Sequence, residues 1–593
     1  MSENDVDVTV SAQTSTPEAP QRRYHIVFVS DLGAGERLAG LCPIDKDDFA
    51  GVLGKARPTL ALAIPDPLGG GDEWEFQLVF DSLKAFDPAG VLAQVPGARW
   101  RLGVRDKLAQ RRLGKIDQAE LDAALSAAVS ADESLAWMTQ VAAPADAAPG
   151  APPKSPASGS ILDAIDEPDE AGRVSAEVER LAAGAGDAKS KISGTQVDRL
   201  TSISNRLERE LGGIADAIVK HVEFRRLETA WRGLKFLVDQ IDFREGTRLC
   251  IVHAAREQLV DALIEHVIDP AFEGEIPTPG LIVCDYDFAN TTQDIEQLDL
   301  LAQHCASLPA PAVLPLSAAF FDIKSLRLLR NLPNLTGLIS GWQFAKWRSL
   351  RDQPYSKSLI PILGRFILRA PHARRADAAE FTFDESVGKI GELLWGGGHL
   401  AMAVCAARSF ATHQWPTRMF GSEAGKIADL PLVPNPNDPQ SSWGPGDLTL
   451  EDRRLDELPE IGINLLQSIK GKDHCMLLGG VSAARPVQTA EVGAQQAALE
   501  ISLPYQQFAN IASAWICEQT PKLSGKPADE IQQALLFGLT NLIGVKSAED
   551  QNAVRVGVGE NPDGSGSTVV QIRLEPPGRI VPGGLHLDFG FTV

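Results

Sequence analysis

Apolar residues recur every three or four positions at Val197, Leu200, Ile203, Leu207, Leu211, Ile214, Ile218 and Val222, which is one face of a helix. Thr195 followed by Asp198 gives that helix a start resembling a capping box. A second helix carries Phe224, Leu227, Trp231, Leu234 and Val238. Elsewhere the period shortens to two or the run becomes continuously apolar. Residues 24–30, 60–64 and 76–80 read as strands, the last two separated by the turn-rich 65–71, and 88–95 and 105–138 read as helices. Past the second helix, strands at 248–252 and 281–284 alternate with helices at 256–267 and 295–307, the order of an α/β sheet. A Pro/Asn/Gly loop at 431–446 interrupts this region. At the C-terminus, Val570, Ile572 and Leu574 share one face, and Leu585, Leu587, Phe589, Phe591 and Val593 share another. Two strands of a long hairpin are expected there.

Near the start, Val6, Val8 and Val10 alternate with Asp5, Asp7 and Thr9, the pattern of a half-buried strand in a tail that has no sheet of its own. Two readings stand: a chance pattern, or a strand lent to another subunit's sheet. Between 139 and 160, 17 of 22 residues are Ala, Pro, Gly or Ser, a composition that buries too little apolar surface to fold and marks a linker. A short amphipathic piece follows at 160–167, with Ile161, Leu162 and Ile165, and then Gly/Ala-rich chain to 194. The expected organisation is a tail at 1–22, a first unit at 23–138, a linker with a short helix at 139–194, and a large unit at 195–593. The fold class is α/β (mixed α+β), with mixed sheets flanked by helices.

Charge narrows the function. The 593 residues carry 78 acids and 56 bases, a net charge of −22, so a nucleic-acid grip or a polybasic lipid surface is not expected. No window reaches 18 apolar residues, and the first residues lack the basic and apolar regions of a secretory signal. Seven scattered cysteines without a C-x-x-C pair fit buried thiols in a reducing cytoplasm.

Catalytic motifs are weak. Gly421–Ile427 has three residues where a phosphate loop needs four between its glycine-rich start and Gly-Lys, and Ile427 stands where Ser or Thr would hold Mg²⁺. Gly33-Ala34-Gly35 lacks the third glycine of a dinucleotide fingerprint, Leu38 standing in its place. Gly396-Gly397-Gly398 reads as close backbone packing. The pairs His304/Cys305, His474/Cys475 and Cys250/His253 diverge and make no chelate. No catalytic, cofactor or metal residue is assigned.

Two parts of the chain resemble the two sheath proteins of the bacterial type VI secretion system. From about 195 onward it resembles the large subunit, the ImpC/EvpB or TssC class. The residues that carry this are EFRRLETAWRGL at 223–234, GLIVCDYDF at 280–288, AKWRSLR at 345–351 and GRFILRAP at 364–371. LWG at 394–396, DRRLDEL at 452–458 and LPY at 503–505 continue the order. Within 23–138, DKDDF at 45–49, RPTLALAIP at 57–65, FDSLKAFDP at 80–88 and QVP at 94–96 are similar to the small subunit, the TssB class.

The resemblance implies a natural fusion of the two subunits. It implies a structural, non-enzymatic protein that polymerises with itself in the cytoplasm into a helical tube around an inner tube, contracting to propel that tube outward from a baseplate. An AAA+ unfoldase that recycles the sheath is an implied partner, and a separate small sheath subunit is a further candidate partner. Ile161, Leu162 and Ile165 are candidates for the helix shown to that unfoldase; a helix that packs on the sheath is the alternative. Val6, Val8 and Val10 are the candidate donor strand, and Leu585, Leu587, Phe589 and Phe591 lie in the candidate acceptor; an internal core hairpin is the alternative. The competing functions are a cytosolic α/β enzyme with an unrecognised site and a non-polymerising accessory homologue.

Overall fold

The seven residues Tyr24–Ser30 (β1) lie in the interior of a nine-stranded sheet whose other strands come mostly from far along the chain. This arrangement is seen in a computed structural model that describes residues 22–69, 71, 73–140, 194–375, 381–435, 437–488, 493–544, 553–560, 568–581 and 586–592. β2 is Leu41–Ile44; β3 (Thr59–Pro65) and β4 (Glu73–Val79) form a separate antiparallel pair. β5 is Thr247–His253, β6 Leu281–Cys284, β7 Ala312–Pro315 and β8 Leu359–Leu363. β9 (Arg365–Arg369) and β10 (Leu394–Gly397) pair with each other, as do β12 (Val433–Asn435) and β13 (Asp438–Trp443). β11 (Lys426–Ile427), β14 (Asn464–Ser468) and β15 (Cys475–Leu477) complete the large sheet. Its order is β11-β15-β14-β8-β7-β6-β1-β5-β2.

From β14 to β5 every pairing is parallel, and the two borders are antiparallel. A parallel centre needs helices on both faces, so its strands are apolar throughout. In β1, Ile26 and Phe28 enter the core on one face, beneath helices Val222–Gln240 and Gly398–His413. Val27 and Val29 enter the core on the other, with helices Thr292–Ser307 and Ala345–Arg351. The result is a three-layer sandwich. All seven residues of β1 pair with β5, and Ile26–Val29 also pair with β6.

Residues 23–138 therefore share a core with the rest of the chain. The helix expected over 105–138 is two, Pro96–Arg112 and Gln118–Ala131, because Gly114 takes a left-handed φ of 68° and turns the chain between them. The long periodic helix is present as Gly194–Val219: Leu200, Ile203 and Leu207 pack on those two helices, and Leu211, Ile214 and Ile218 on the main core. The loop expected at 431–446 contains the short β12–β13 hairpin.

The C-terminal region forms a further layer with its own core. Helices Leu503–Leu523 and Ala528–Ile543 pack on β16 (Val554–Glu560), β17 (Thr568–Leu574) and β18 (Leu587–Thr592). Tyr24 donates its hydroxyl to Gln507 at 3.0 Å, and Gln507 donates to the Gly280 carbonyl at 3.1 Å, fastening this C-terminal part to the N-terminal ends of β1 and β6.

Candidate assembly interface

The segment 223–234 is the seam between the N-terminal region and the rest. Its helical spacing sends successive side chains to separate tasks. Phe224 packs edge-on against the stacked pair Phe80 and Phe86, with centroid distances of 5.9 and 6.0 Å. Arg226 pairs with Asp31 at 2.7 Å, and Arg232 with Asp87 at 3.3 Å. Glu228 is fully buried and accepts from Arg232 and Arg369, each at 2.7 Å. Burial alone would raise the Glu228 carboxyl, but the two guanidinium groups outweigh it and hold it below the ordinary range. Farther along the seam, buried Arg101 bridges Asp132 at 2.8 Å and Glu210 at 2.9 Å.

The carboxyl ends of β1, β5 and β6 are where parallel α/β sheets place ligands. Here their polar groups engage one another. Asp285 accepts from Ser30 at 2.9 Å and contacts His399 Nε2 at 3.0 Å. The carboxylate stands between the other two, so serine and imidazole do not form a nucleophile–base pair. The Gly33–Gly35 turn folds over His253, with Leu32 N–H 3.1 Å from Nδ1 and Gly35 N–H 3.1 Å from Nε2. A neutral imidazole accepts at one nitrogen, so the two amides compete for it according to the tautomer. Burial lowers the His253 pKa against the opposing pull of Asp31, which favours this neutral form. Gly425 and Gly398 are closely packed, a Cβ on either falling within 3 Å of Leu477 O and of the Ile362 side chain respectively. Among the described residues no cluster of three or more His, Cys, Asp or Glu side chains is grouped to hold a metal ion.

The C-terminal sheet is different in kind. Three strands are present where two were expected, in the order β16-β17-β18, all antiparallel. Val554, Val556 and Val558 of β16 repeat the period-two alternation that marks the other two strands, a signal passed over in the sequence. Leu587 is buried, and Phe589 and Phe591 are half-buried on the core face with Val570, Ile572 and Leu574. Glu575 N–H donates to Ala553 O at 2.8 Å, which sets the phase of the β16–β17 ladder. Alternation then turns the backbone groups of Val554, Val556 and Val558 outward on β16, and those of Asp588, Gly590 and Thr592 outward on β18.

The edges are treated unequally. Gln532 donates to the outward carbonyl of Val556 at 2.7 Å and so caps the β16 edge. In the large sheet, one border strand carries Pro43, which has no N–H to offer, and the other border strand is two residues long. β18 pairs only with β17 among the described residues, and Gly590 lies at the middle of its outer edge. On the polar face Arg573 donates to Asp588 at 2.7 and 3.0 Å, and these hydrogen bonds lower the Asp588 pKa.

Arg22, where the described chain begins, is anchored beside this sheet. It lies 4.7 Å over the Trp415 ring and donates to the carbonyls of Gln414 and Leu542. Val6, Val8, Val10, Ile161, Leu162, Ile165 and Leu585 lie outside the described residues.

Two family descriptions match the chain. One is the EvpB/VC_A0108 tail sheath N-terminal domain, over residues 201–484, and the other is type VI secretion system VipA, VC_A0107 or Hcp2, over residues 38–142. β1 falls outside both matched ranges. Among curated proteins it is similar to the type VI secretion system sheath protein TssC1 of Pseudomonas aeruginosa, with 27% identity over 395 residues, 62% of this chain and 79% of that protein. Among solved structures it is similar to the contracted helical sheath of the anti-feeding prophage, at 10% identity and a TM-score of 0.32, covering 58% of this chain and 77% of that one. A sheath tail protein from Listeria innocua is similar at 13% identity and a TM-score of 0.29, covering 59% and 61%. No described helix is long and apolar enough to cross a membrane.

Proposed function

We propose that this chain, which carries the VipA and the EvpB tail sheath domains in one polypeptide, is the structural subunit of a type VI secretion system contractile sheath. It polymerises in the cytoplasm into a helical tube around an inner tube, and contraction drives that tube out through a baseplate. Repetition of one heterologous contact without closure builds such a tube.

The observation that carries this reading is the outer edge of β18, which has no strand partner among the described residues, beside a β16 edge that Gln532 caps and a large sheet whose borders are shortened or carry a proline. An edge with free N–H and C=O groups accepts a strand from a neighbour, and main-chain bonds of that kind persist while rigid bodies turn. Val6, Val8 and Val10 of a second copy are the donor, their apolar side continuing the face of Leu587, Phe589 and Phe591. The anchoring of Arg22 supports it, since Val10 is 12 residues away and an extended segment of that length reaches about 40 Å. Ile161, Leu162 and Ile165 are the residues that an AAA+ unfoldase takes hold of when the sheath is recycled.

Electron microscopy of the purified chain with its inner-tube protein tests the function. Long hollow cylinders are expected, and uniform small particles alone would overturn it. Deleting residues 5–11 should abolish the cylinders and leave a folded protomer; normal cylinders from that variant would refute the donor assignment.

A further inference from the structure

We infer that each copy of this chain permanently fills its own small-subunit docking site, so that the polymer takes up no free small sheath subunit. The inference rests on the sheath reading only for the meaning of "small subunit"; its structural content stands on the seam.

A strand added at the border of a sheet can come and go with one ladder of hydrogen bonds. β1 is held by two, seven residues against β5 and four against β6, in the interior of the sheet. Its side chains enter both cores at once, Ile26 and Phe28 on one face and Val27 and Val29 on the other. Removing it would open the sheet between β5 and β6 and expose both layers. The rest of the N-terminal region is held by contacts that are buried or charged: Trp231 N–H to Leu32 O at 3.0 Å, Phe224 on Phe80 and Phe86, Arg226 to Asp31, and Arg101 to Glu210. A competing small subunit would have to displace all of these together.

Connectivity makes self-docking the easier route. Residues 141–193 join the two regions. The elements at their ends stand close, with the Arg206 guanidinium 3.9 Å over the ring of Trp137. Fifty-odd residues close such a gap readily, and a tether of this length sets an effective concentration on the order of millimolar. A free subunit at micromolar concentration competes at roughly a thousandfold disadvantage.

A protease site inserted after Pro153 in the full-length chain tests this. The chain is folded, purified and then cut, once from ordinary medium and once from heavy-isotope medium. The two cut samples are mixed for a day and weighed by native mass spectrometry. The expected result is light–light and heavy–heavy pairs, with hybrids at less than one-tenth of the statistical proportion. Hybrids at the statistical proportion, or separation of the pieces, would overturn the inference. Tubule formation is scored separately on the uncut chain, so a failure of the sheath reading leaves this result intact.

Discussion

The indole N–H of Trp231 donates to the main-chain carbonyl of Leu32 at 3.0 Å, joining a helix of the large region to the turn that follows the first strand. Both residues are fully buried. Trp231→Phe keeps most of the apolar contact and leaves the carbonyl without its donor, so it should cost about 1–3 kcal/mol. Trp231→Ala adds a cavity and should cost about 3–5 kcal/mol. Urea unfolding followed by circular dichroism measures both, and equal losses from the two variants would argue that the hydrogen bond contributes nothing.

Glu228→Ala should be strongly destabilising. It removes a buried carboxylate and leaves Arg369, whose head group is nearly enclosed, with Glu385 at 2.7 Å as its remaining ion-pair partner. Breaking a buried pair in this way costs about 3–5 kcal/mol. Because the folded Glu228 pKa lies below its ordinary 4.5, its contribution is full above that pH and is lost as the pH falls through the depressed value. Acid unfolding of Glu228→Gln should therefore be less steep below pH 4.5 than that of the parent.

Milder acid should act through histidine. His25 is held neutral by burial and by the nearby positive charges of Arg23 and Arg248, which bring its pKa down to about 4, and burial brings His372 to about 4 as well. The unfolded chain takes up these protons near the ordinary 6.5 and the folded chain does not. Stability is then constant above pH 6.5 and falls as the pH is lowered toward 4. The urea midpoint at pH 5 should lie below that at pH 7.5, and His25→Gln should reduce the difference.

Gly590→Pro separates folding from assembly. The Gly590 N–H points away from β17, so proline removes no ladder bond inside the protomer and obstructs the outer edge of β18. The melting temperature should change by only a few degrees, while cylinders should disappear in the electron microscope. Unimpaired cylinders would mean that the exchanged strand docks elsewhere.

Gly364 is a position where no side chain fits. Its φ is +90°, and a Cβ would stand 2.3 Å from the Leu466 carbonyl oxygen as β8 turns into β9. Gly364→Ala should destabilise by at least about 2 kcal/mol, read from the denaturation midpoint.

Local pattern reveals local structure here. The apolar run at Tyr24–Ser30 appears as the strand that it implies, and the three-and-four spacing appears as a helix as far as Ile218; the helix ends at Val219, and Val222 opens the next one and is exposed. What local pattern does not contain is the partner of a strand. β1 pairs with residues more than 200 positions away, and nothing in its own composition separates an interior strand from a border one, since both are apolar when helices cover both faces. The turn at Gly114 was hidden for a different reason: alanine, leucine and charge continue on both sides of it, and one left-handed residue breaks the helix without changing the pattern. For the candidate interface, alternation identifies Leu587, Phe589 and Phe591 as one face. That the β16 border is capped rests on Gln532, a contact between side chain and backbone that no periodicity encodes, and that β18 has no outer strand partner among the described residues is a matter of topology that alternation does not carry.

The interior position of β1 also sets a clock during synthesis. It leaves the ribosome about 250 residues before Cys284 completes β6. At roughly 5–20 residues per second that delay is on the order of 10–50 seconds. Until β5 follows at Thr247–His253, which is most of that time, the nascent chain holds an apolar strand with both edges unpaired, the condition under which strands from different chains join wrongly. Two separate genes would leave that strand waiting for a partner made on another ribosome; in this polypeptide its partners arrive on the same nascent chain.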